Sequence, residues 1–181
     1  MNNIQKLVCH PNMPGKGVDS IDVQVTLKPG GRLWMRYHIE CDPAHVQLSD
    51  PADPLRTDFL WHRTCFETFI TRGGQSQYIE FNFCPSSRWA AYQFTDYREG
   101  AADLPVEEAP AIHLDLSETH IAIEADVLLP ESWRDGPMMM GITTIIEDEE
   151  GTLSYWALAH PGDKQEFHDR SCFIHPLQAA E

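Results

Sequence analysis

The chain of 181 residues has the length of one ordinary domain and is large enough to bury a hydrophobic core without disulfides or metals. Its 13 basic and 28 acidic residues give a formal net charge of −15, and so acidic a surface repels phosphate backbones and anionic lipid headgroups. We therefore expect neither nucleic acid nor a membrane as a partner, and the charge itself is typical of a soluble protein.

The beginning of the chain, MNNIQKLVCHPNMPG, contains no apolar run of signal-peptide length, and no other segment approaches the about 20 apolar residues of a membrane span. These features predict a cytoplasmic location. The five cysteines are odd in number and are never spaced as CxxC, which argues against a disulfide framework and against a four-cysteine zinc site.

Alternating polar and apolar residues predict nine strands with almost no helix. The first two, 21–27 and 33–39, flank the turn-forming sequence Lys28-Pro-Gly-Gly31 and predict a hairpin. A helical turn is expected only near Pro130. Short turns separate most of the strands, so we predict an antiparallel meander folded as an all-β, two-sheet sandwich of the jelly-roll kind. The other predicted strands are 66–71, 77–84, 89–95, 112–116, 120–129, 138–147 and 153–159.

Residues 1–177 are expected to form a single domain, followed by a flexible C-terminal tail at 178–181. Two long connections, 41–60 and 98–111, are rich in proline and acidic residues. Loops of this length inside a domain are often functional or mobile. The first connection leads directly into Trp61, and we expect it either to form one rim of a binding site or to be a solvated loop without a ligand.

The stretch 61–97 is the most informative part of the sequence. Alternation within 78–83 sends the apolar residues to the core and places Tyr78, Glu80 and Asn82 together on the opposite face. One strand alone does not distinguish a face that binds a ligand from a face that contacts solvent. Glu67 is an isolated acid between apolar residues, and if it is buried it must pair with a nearby arginine or serve a ligand.

Several of these residues form a recognisable series. It begins with Trp61-x5-Glu67, continues with Tyr78-x-Glu80-Phe81-x-Phe83, and ends with a proline break and Arg88-Trp89. The series resembles the family 9 carbohydrate-binding modules and the wider DOMON-like superfamily, most clearly over residues 60–98 and more weakly at 154–159. The resemblance implies a β-sandwich, in agreement with the alternation.

In these modules two tryptophans clamp a terminal sugar, while a glutamate and an arginine bind its hydroxyl groups. By motif position, the resemblance implies that Trp61 is one clamp, Glu67 an acceptor, Arg88 a donor and Trp156 the second clamp. Indole faces stack on the C–H groups of a pyranose, and charged groups bind adjacent hydroxyls. We therefore expect a non-catalytic module with a small-molecule ligand, a saccharide. The expected ligand-binding residues are Trp61, Glu67, Arg88, Trp156, Tyr78, Glu80 and Asn82.

Other members of the superfamily bind b-type haem through methionine and histidine, which makes a haem-binding domain one alternative. A protein-interaction domain that has lost its ligand site is another. Calcium-binding relatives carry an aspartate-rich loop, but Asp42, Asp50, Asp53 and Asp58 are separated by prolines and do not form an ordered set of oxygen ligands. No cofactor is expected, with calcium and haem left open. The candidate haem ligands are Met35, Met138, Met139, Met140, His38, His62, His160 and His168.

The sequence does not indicate catalysis. Glu67 and Glu80 could act as a carboxylate pair, and Cys65 with His62 could act as nucleophile and base. Alternation, however, would place Cys65 and His62 on opposite faces of an extended strand. No GxSxG, P-loop or HExxH motif is present. The sequence does not indicate an oligomeric state.

Overall fold

The computed structural model describes residues 4–178, and in this part of the chain the regular structure consists of β-strands and short 3-10 turns. All nine predicted strands are present, together with three that were not predicted, β1, β7 and β12. The strands are β1 (Ile4–Cys9), β2 (Val18–Lys28), β3 (Arg32–Cys41), β4 (Cys65–Arg72), β5 (Tyr78–Phe83), β6 (Trp89–Phe94), β7 (Ala102–Asp103), β8 (Ala111–Leu116), β9 (His120–Leu128), β10 (Met138–Glu147), β11 (Leu153–Ala157) and β12 (His175–Leu177).

Strands β2 and β3 form the predicted hairpin. Their pairing extends to Lys28 and Arg32 at the turn. Gly30 and Gly31 have φ angles of 83° and 82°, in the left-handed region that glycine adopts without a steric penalty. In β3, alternate side chains are buried, as the period of two in the sequence predicts.

The strands form one continuous curled sheet. The order is β7-β6-β5-β4-β10-β11-β1-β2-β3-β9-β8, and β12 pairs with β10. Strand β1 joins the two halves because its end at Val8 and Cys9 pairs with β11, whereas Ile4 to Leu7 pair with β2. The predicted all-β, antiparallel architecture is confirmed, but its division into two separate sheets is not.

Sheet order departs from chain order where distant strands become neighbours. Strand β3 pairs with β9, β4 with β10 and β1 with β11. The predicted continuous meander with few crossovers is therefore interrupted at these pairings, while the runs between them join strands that are consecutive in the chain. Alternation within a segment shows that the segment is a strand, but it does not show which distant strand will pair with it.

We call β1, β2, β3, β8 and β9 the first half-sheet and the remaining strands the second half-sheet. The two half-sheets face each other across the main hydrophobic core, to which both contribute. Tyr37 of β3 crosses this core, and its hydroxyl donates to the carbonyl oxygen of Glu67 at 3.0 Å. The Tyr37 ring also lies 5.1 Å from the ring of Phe66 in β4.

The face of the second half-sheet that points away from the main core is called the outer face. The chain after β11 returns to this face, where Phe167, Cys172 and Phe173 form a second apolar cluster with residues of β4, β5, β10 and β11. The outer face is therefore partly covered by protein, and a recess between the covering segments and the strands can be shielded from water.

Three further expectations concern the chain as a whole. Within residues 4–178, no helix has the length and apolar character that a membrane span requires. All five cysteines are free thiols, and four of them are buried. Of the predicted tail, Gln178 is exposed, while 179–181 lie outside the described residues.

Candidate functional site

A cavity of about 450 Å³ opens on the outer face. Side chains from five strands line it, together with Trp61 and His62 in the 3-10 turn Leu60–His62, and residues from the connections that follow β6 and β11. Its volume lies within the range of small-molecule sites. Polar groups form its floor, and aromatic rings form much of its wall.

Two buried glutamates form the floor. Glu67 in β4 is 3% exposed and Glu80 in β5 is 5% exposed. They are diagonal neighbours on adjacent strands, because Asn82 pairs with Glu67 two residues along β5 from Glu80. Thr143 Oγ1 donates to Glu67 Oε2 at 3.2 Å, and Asn82 Nδ2 donates to Glu80 Oε1 at 2.9 Å.

An arginine pairing would give Glu67 a purely structural role, but among residues 4–178 no ion pair of Glu67 is found. Arg63 instead pairs with Glu147 at 3.4 Å. Arg88 donates to Thr57 Oγ1 at 3.0 Å. The Glu67 carboxyl therefore accepts a hydrogen bond from the Thr143 hydroxyl and faces the cavity.

Burial raises the pKa of both floor carboxyls. Loss of solvation is the largest cause for Glu67, and the neighbouring Glu80 carboxylate raises the pKa of Glu67 further. Loss of solvation also raises the pKa of Glu80, although the Asn82 hydrogen bond and the Arg98 charge oppose it. Two carboxyls in a poorly solvated site resist ionising together, so the pair retains a proton near neutral pH. The floor can then both donate and accept hydrogen bonds.

A hydrogen-bonded chain supports one wall of the cavity. The backbone N–H of Arg98 donates to Tyr78 Oη at 3.1 Å, and Tyr78 Oη lies 2.8 Å from His168 Nδ1. In the neutral tautomer with its proton on Nε2, which lies 3.8 Å from Glu80 Oε2, His168 Nδ1 accepts the hydroxyl hydrogen of Tyr78. Burial and the Arg98 charge lower the pKa of His168 to about 4, so the ring is neutral at pH 7.

Arg98 is the guanidinium that lines the cavity. Its backbone φ of 53° is unusual for a residue other than glycine. Its Nη2 atom lies 3.1 Å from Glu166 Oε1, and Tyr97 Oη donates to the same carboxylate at 2.7 Å. The side chain is thus fixed at the rim of the site.

Aromatic rings line the cavity on several sides. The Trp61 ring lies 6.1 Å from that of Tyr92 at an interplanar angle of 69°. Tyr92 Oη donates to Asp58 Oδ1 at 2.7 Å, which orients the Tyr92 ring. Tyr155 of β11 also lines the cavity, 6.0 Å from the Phe167 ring. Aromatic walls above a polar floor suit a ligand that has both apolar C–H groups and hydroxyls.

Five of the residues predicted from the sequence lie at this site. Trp61, Glu67 and Glu80 line the cavity directly. Tyr78 and Asn82 are fully buried beside them, where Tyr78 contacts His168 and Asn82 contacts Glu80. The shared face that alternation predicts for β5 is therefore the face that carries the cavity.

Arg88 and Trp156 do not line the cavity. Trp156 is 6% exposed in the main core, and its Nε1 donates to Ser154 Oγ at 3.1 Å. Arg88 follows the turn after β5 and contacts Thr57. Because side chains alternate along a strand, Tyr155 rather than Trp156 reaches the outer face from β11.

The cavity also contains Tyr92, Arg98 and Tyr155, which the sequence analysis did not select, and His168, which it considered only as a haem ligand. Alternation could have identified Tyr92, which pairs with Glu80 and so shares its face, and Tyr155, which shares the face of Ala157. Arg98 and His168 lie outside strands, where no periodic pattern indicates their position.

Of the residues considered as cofactor ligands, His62 and His168 line the cavity. Met35, Met138 and Met140 are buried in the main core and do not line the cavity. Asp58 accepts the hydroxyl of Tyr92. Within the described part of the chain, no cluster of three or more histidine, cysteine, aspartate or glutamate side chains is arranged to hold a metal ion.

Comparison with solved structures identifies proteins of the same fold. A candidate carbohydrate-binding protein from Bacteroides uniformis superposes with a TM-score of 0.71 over 97% of this chain and 85% of its own, at 14% identity. A family 9 carbohydrate-binding module from Caldicellulosiruptor kristjanssonii in complex with cellotriose gives a TM-score of 0.52 at 9% identity, covering 88% of this chain and 74% of the module. The corresponding complex with glucose gives 0.53 at 9% identity, covering 90% and 78%.

No protein-family model matches the chain, and no curated protein matches it. Sequence identities of 9–14% show a common fold alone. The structural neighbours are carbohydrate-binding proteins, including family 9 modules.

Proposed function

We propose that the protein is a non-catalytic saccharide-binding module and that its ligand occupies the cavity on the outer face. The combination of aromatic walls with a buried carboxyl floor carries this proposal. A pyranose ring has C–H groups that stack on aromatic faces and hydroxyls that need both donors and acceptors. Trp61, Tyr92 and Tyr155 offer the first kind of contact, and Glu67 with Glu80 offers the second.

The protonation of the floor suits a neutral ligand with many hydroxyls. A carboxyl that retains its proton can donate to a sugar oxygen, while an ionised neighbour accepts from a sugar hydroxyl. Arg98 adds guanidinium donors at the rim. One small region can therefore satisfy both the hydrogen and the lone pairs of adjacent hydroxyls.

We further propose that the chain is a distant relative of the family 9 modules, within a DOMON-like β-sandwich whose layers are the two half-sheets. Glucose and cellotriose are bound by the family 9 module among the structural neighbours, which supports a small saccharide as the ligand here. Trp61 and Glu67 would keep the roles that the motif implies. Tyr155 would take the position expected for the second aromatic clamp, and Arg98 the role expected for Arg88.

The test is binding of a panel of mono- and oligosaccharides, measured by calorimetry and by thermal shift. We expect Trp61→Ala to weaken binding by at least about tenfold, equal to about 1.4 kcal/mol, because it removes a stacking wall. Its melting temperature should stay within a few degrees of the wild type, since Trp61 is only partly buried.

Trp34→Ala is the matched control, because Trp34 is also partly buried but lies in β3 of the first half-sheet. It should leave binding unchanged. The proposal would be wrong if no saccharide bound the wild type, or if Trp61→Ala bound as well as Trp34→Ala.

A further inference from the structure

Phe59, beside the mouth of the cavity, has an unusual backbone conformation. Its φ and ψ are 62° and 27°, in the left-handed region that bulky residues rarely adopt. It immediately precedes the turn Leu60–His62, and its carbonyl oxygen accepts the N–H of His62 at 3.2 Å. Glycine or asparagine would occupy this position with less strain.

Burial does not explain why a phenylalanine lies at this position. The side chain is 62% exposed, and it belongs to neither apolar cluster of the described residues. An exposed aromatic ring on a strained backbone stabilises the fold little, and strained residues concentrate at functional sites.

The Phe59 ring extends the aromatic surface of the cavity outward. Its centroid lies 5.4 Å from that of Trp61 at an interplanar angle of 67°. It lies 5.7 Å from the His62 ring and is almost parallel to it, at 11°. Trp61 and His62 both line the cavity, so Phe59 continues from its wall into solvent.

We propose that Phe59 is a platform for the second ring of an oligosaccharide whose terminal ring occupies the cavity. This inference rests on the proposed saccharide-binding function and adds to it a contact for the sugar ring that follows the terminal one. The outer ring would stack its C–H face on Phe59 while its hydroxyls stay hydrated. Such a contact adds affinity for longer chains and leaves the contacts of the terminal ring unchanged.

The experiment compares a monosaccharide with a trisaccharide of the same sugar, using glucose and cellotriose, or the corresponding pair for the sugar that binds in the panel. For the wild type we expect the trisaccharide to bind about 3- to 10-fold more tightly. Phe59→Asn, which tolerates the left-handed backbone, should remove this preference and keep the monosaccharide affinity. Phe59→Tyr should retain the preference.

Leu116→Ala is the control for loss of an exposed apolar side chain, because Leu116 is 53% exposed in β8 of the first half-sheet. It should keep the chain-length preference. An equal loss of both affinities in Phe59→Asn, or no change in either, would overturn the platform but leave the saccharide site standing. Failure of every saccharide to bind the wild type would instead overturn the proposed function and this inference with it.

Discussion

Trp156 and Tyr155 are adjacent in β11 but lie on opposite faces of the second half-sheet. Trp156 is buried in the main core, whereas Tyr155 is partly exposed and lines the cavity. Two neighbouring aromatic residues therefore have different roles, one in folding and one in the proposed binding. The difference can be measured, because loss of the core residue lowers the free energy of unfolding, whereas loss of the wall residue weakens saccharide binding.

We predict that Trp156→Ala lowers the free energy of unfolding by about 3–5 kcal/mol, because a large buried side chain is replaced by a void. Tyr155→Ala should lower it by less than about 1.5 kcal/mol and should weaken saccharide binding instead. Urea denaturation of both variants, with calorimetric binding of each folded variant, provides the comparison. Equal destabilisation by both substitutions would contradict the assignment of the two faces.

At the residue scale, strand periodicity predicted which side chains share a face. Alternation placed Tyr78, Glu80 and Asn82 on one face, and the structure places them at the cavity. Motif matching selected Trp156 by residue type, although the alternation of side chains along β11 directs Trp156 to the core. From the sequence, His168 is a candidate only as a haem ligand, because its place in the cavity wall depends on the path of an irregular segment.

At the scale of elements, the cavity depends on the chain that follows β11. This segment contributes Phe167 and Phe173 to the outer cluster, and His168 to the wall. Phe173 packs against β10 at Gly141, where an added Cβ would lie 2.6 Å from Phe173 Cδ1. The absence of a side chain at Gly141 therefore allows the segment to approach the sheet.

We predict that Gly141→Ala displaces Phe173, lowers the free energy of unfolding by about 1–3 kcal/mol, and weakens saccharide binding by shifting the covering segment. Denaturant unfolding and calorimetry would measure the two effects. Gly73→Ala is the control, because no atom lies within 4 Å of an added Cβ at this turn position. If the two variants had the same stability, close packing at Gly141 would not hold the segment.

The elements that the sequence did not predict have specific physical reasons. In β1 only Leu7 is buried, while Ile4 and Val8 are more than half exposed, so the apolar residues do not mark one face. Strand β12 contains Pro176, and proline disfavours strand assignments. Strand β7 has only two residues. The pairing of β4 with β10 depends on contacts across the whole chain, which local alternation does not contain.

At the scale of the whole molecule, the two carboxyls of the cavity floor make the stability of the fold depend on pH. Burial raises the pKa of Glu67 to about 8 and that of Glu80 to about 7, against an ordinary value of 4.5. The folded protein therefore holds protons that the unfolded chain releases above its ordinary pKa. Stability from these groups is complete below about pH 4.5 and is lost as the pH rises through 7 to 8.

We predict that the free energy of unfolding of the wild type falls between about pH 6.5 and pH 8, by up to about 1.4 kcal/mol per pH unit for each carboxyl that keeps its proton in the folded state. The range begins there because, below the ordinary histidine pKa of 6.5, the lowered pKa of His168 acts in the opposite direction. Glu67→Gln removes one of these carboxyls and its repulsion on Glu80, so the fall should become shallower. Glu118→Gln is the control, since it also replaces one glutamate with glutamine, but at an exposed position. Urea denaturation across this pH range would reveal the slopes. The wild type and Glu67→Gln have the same acidic surface, so a difference between their slopes comes from the buried pair. Parallel curves for these two proteins would show that the floor is ionised in the folded protein at neutral pH.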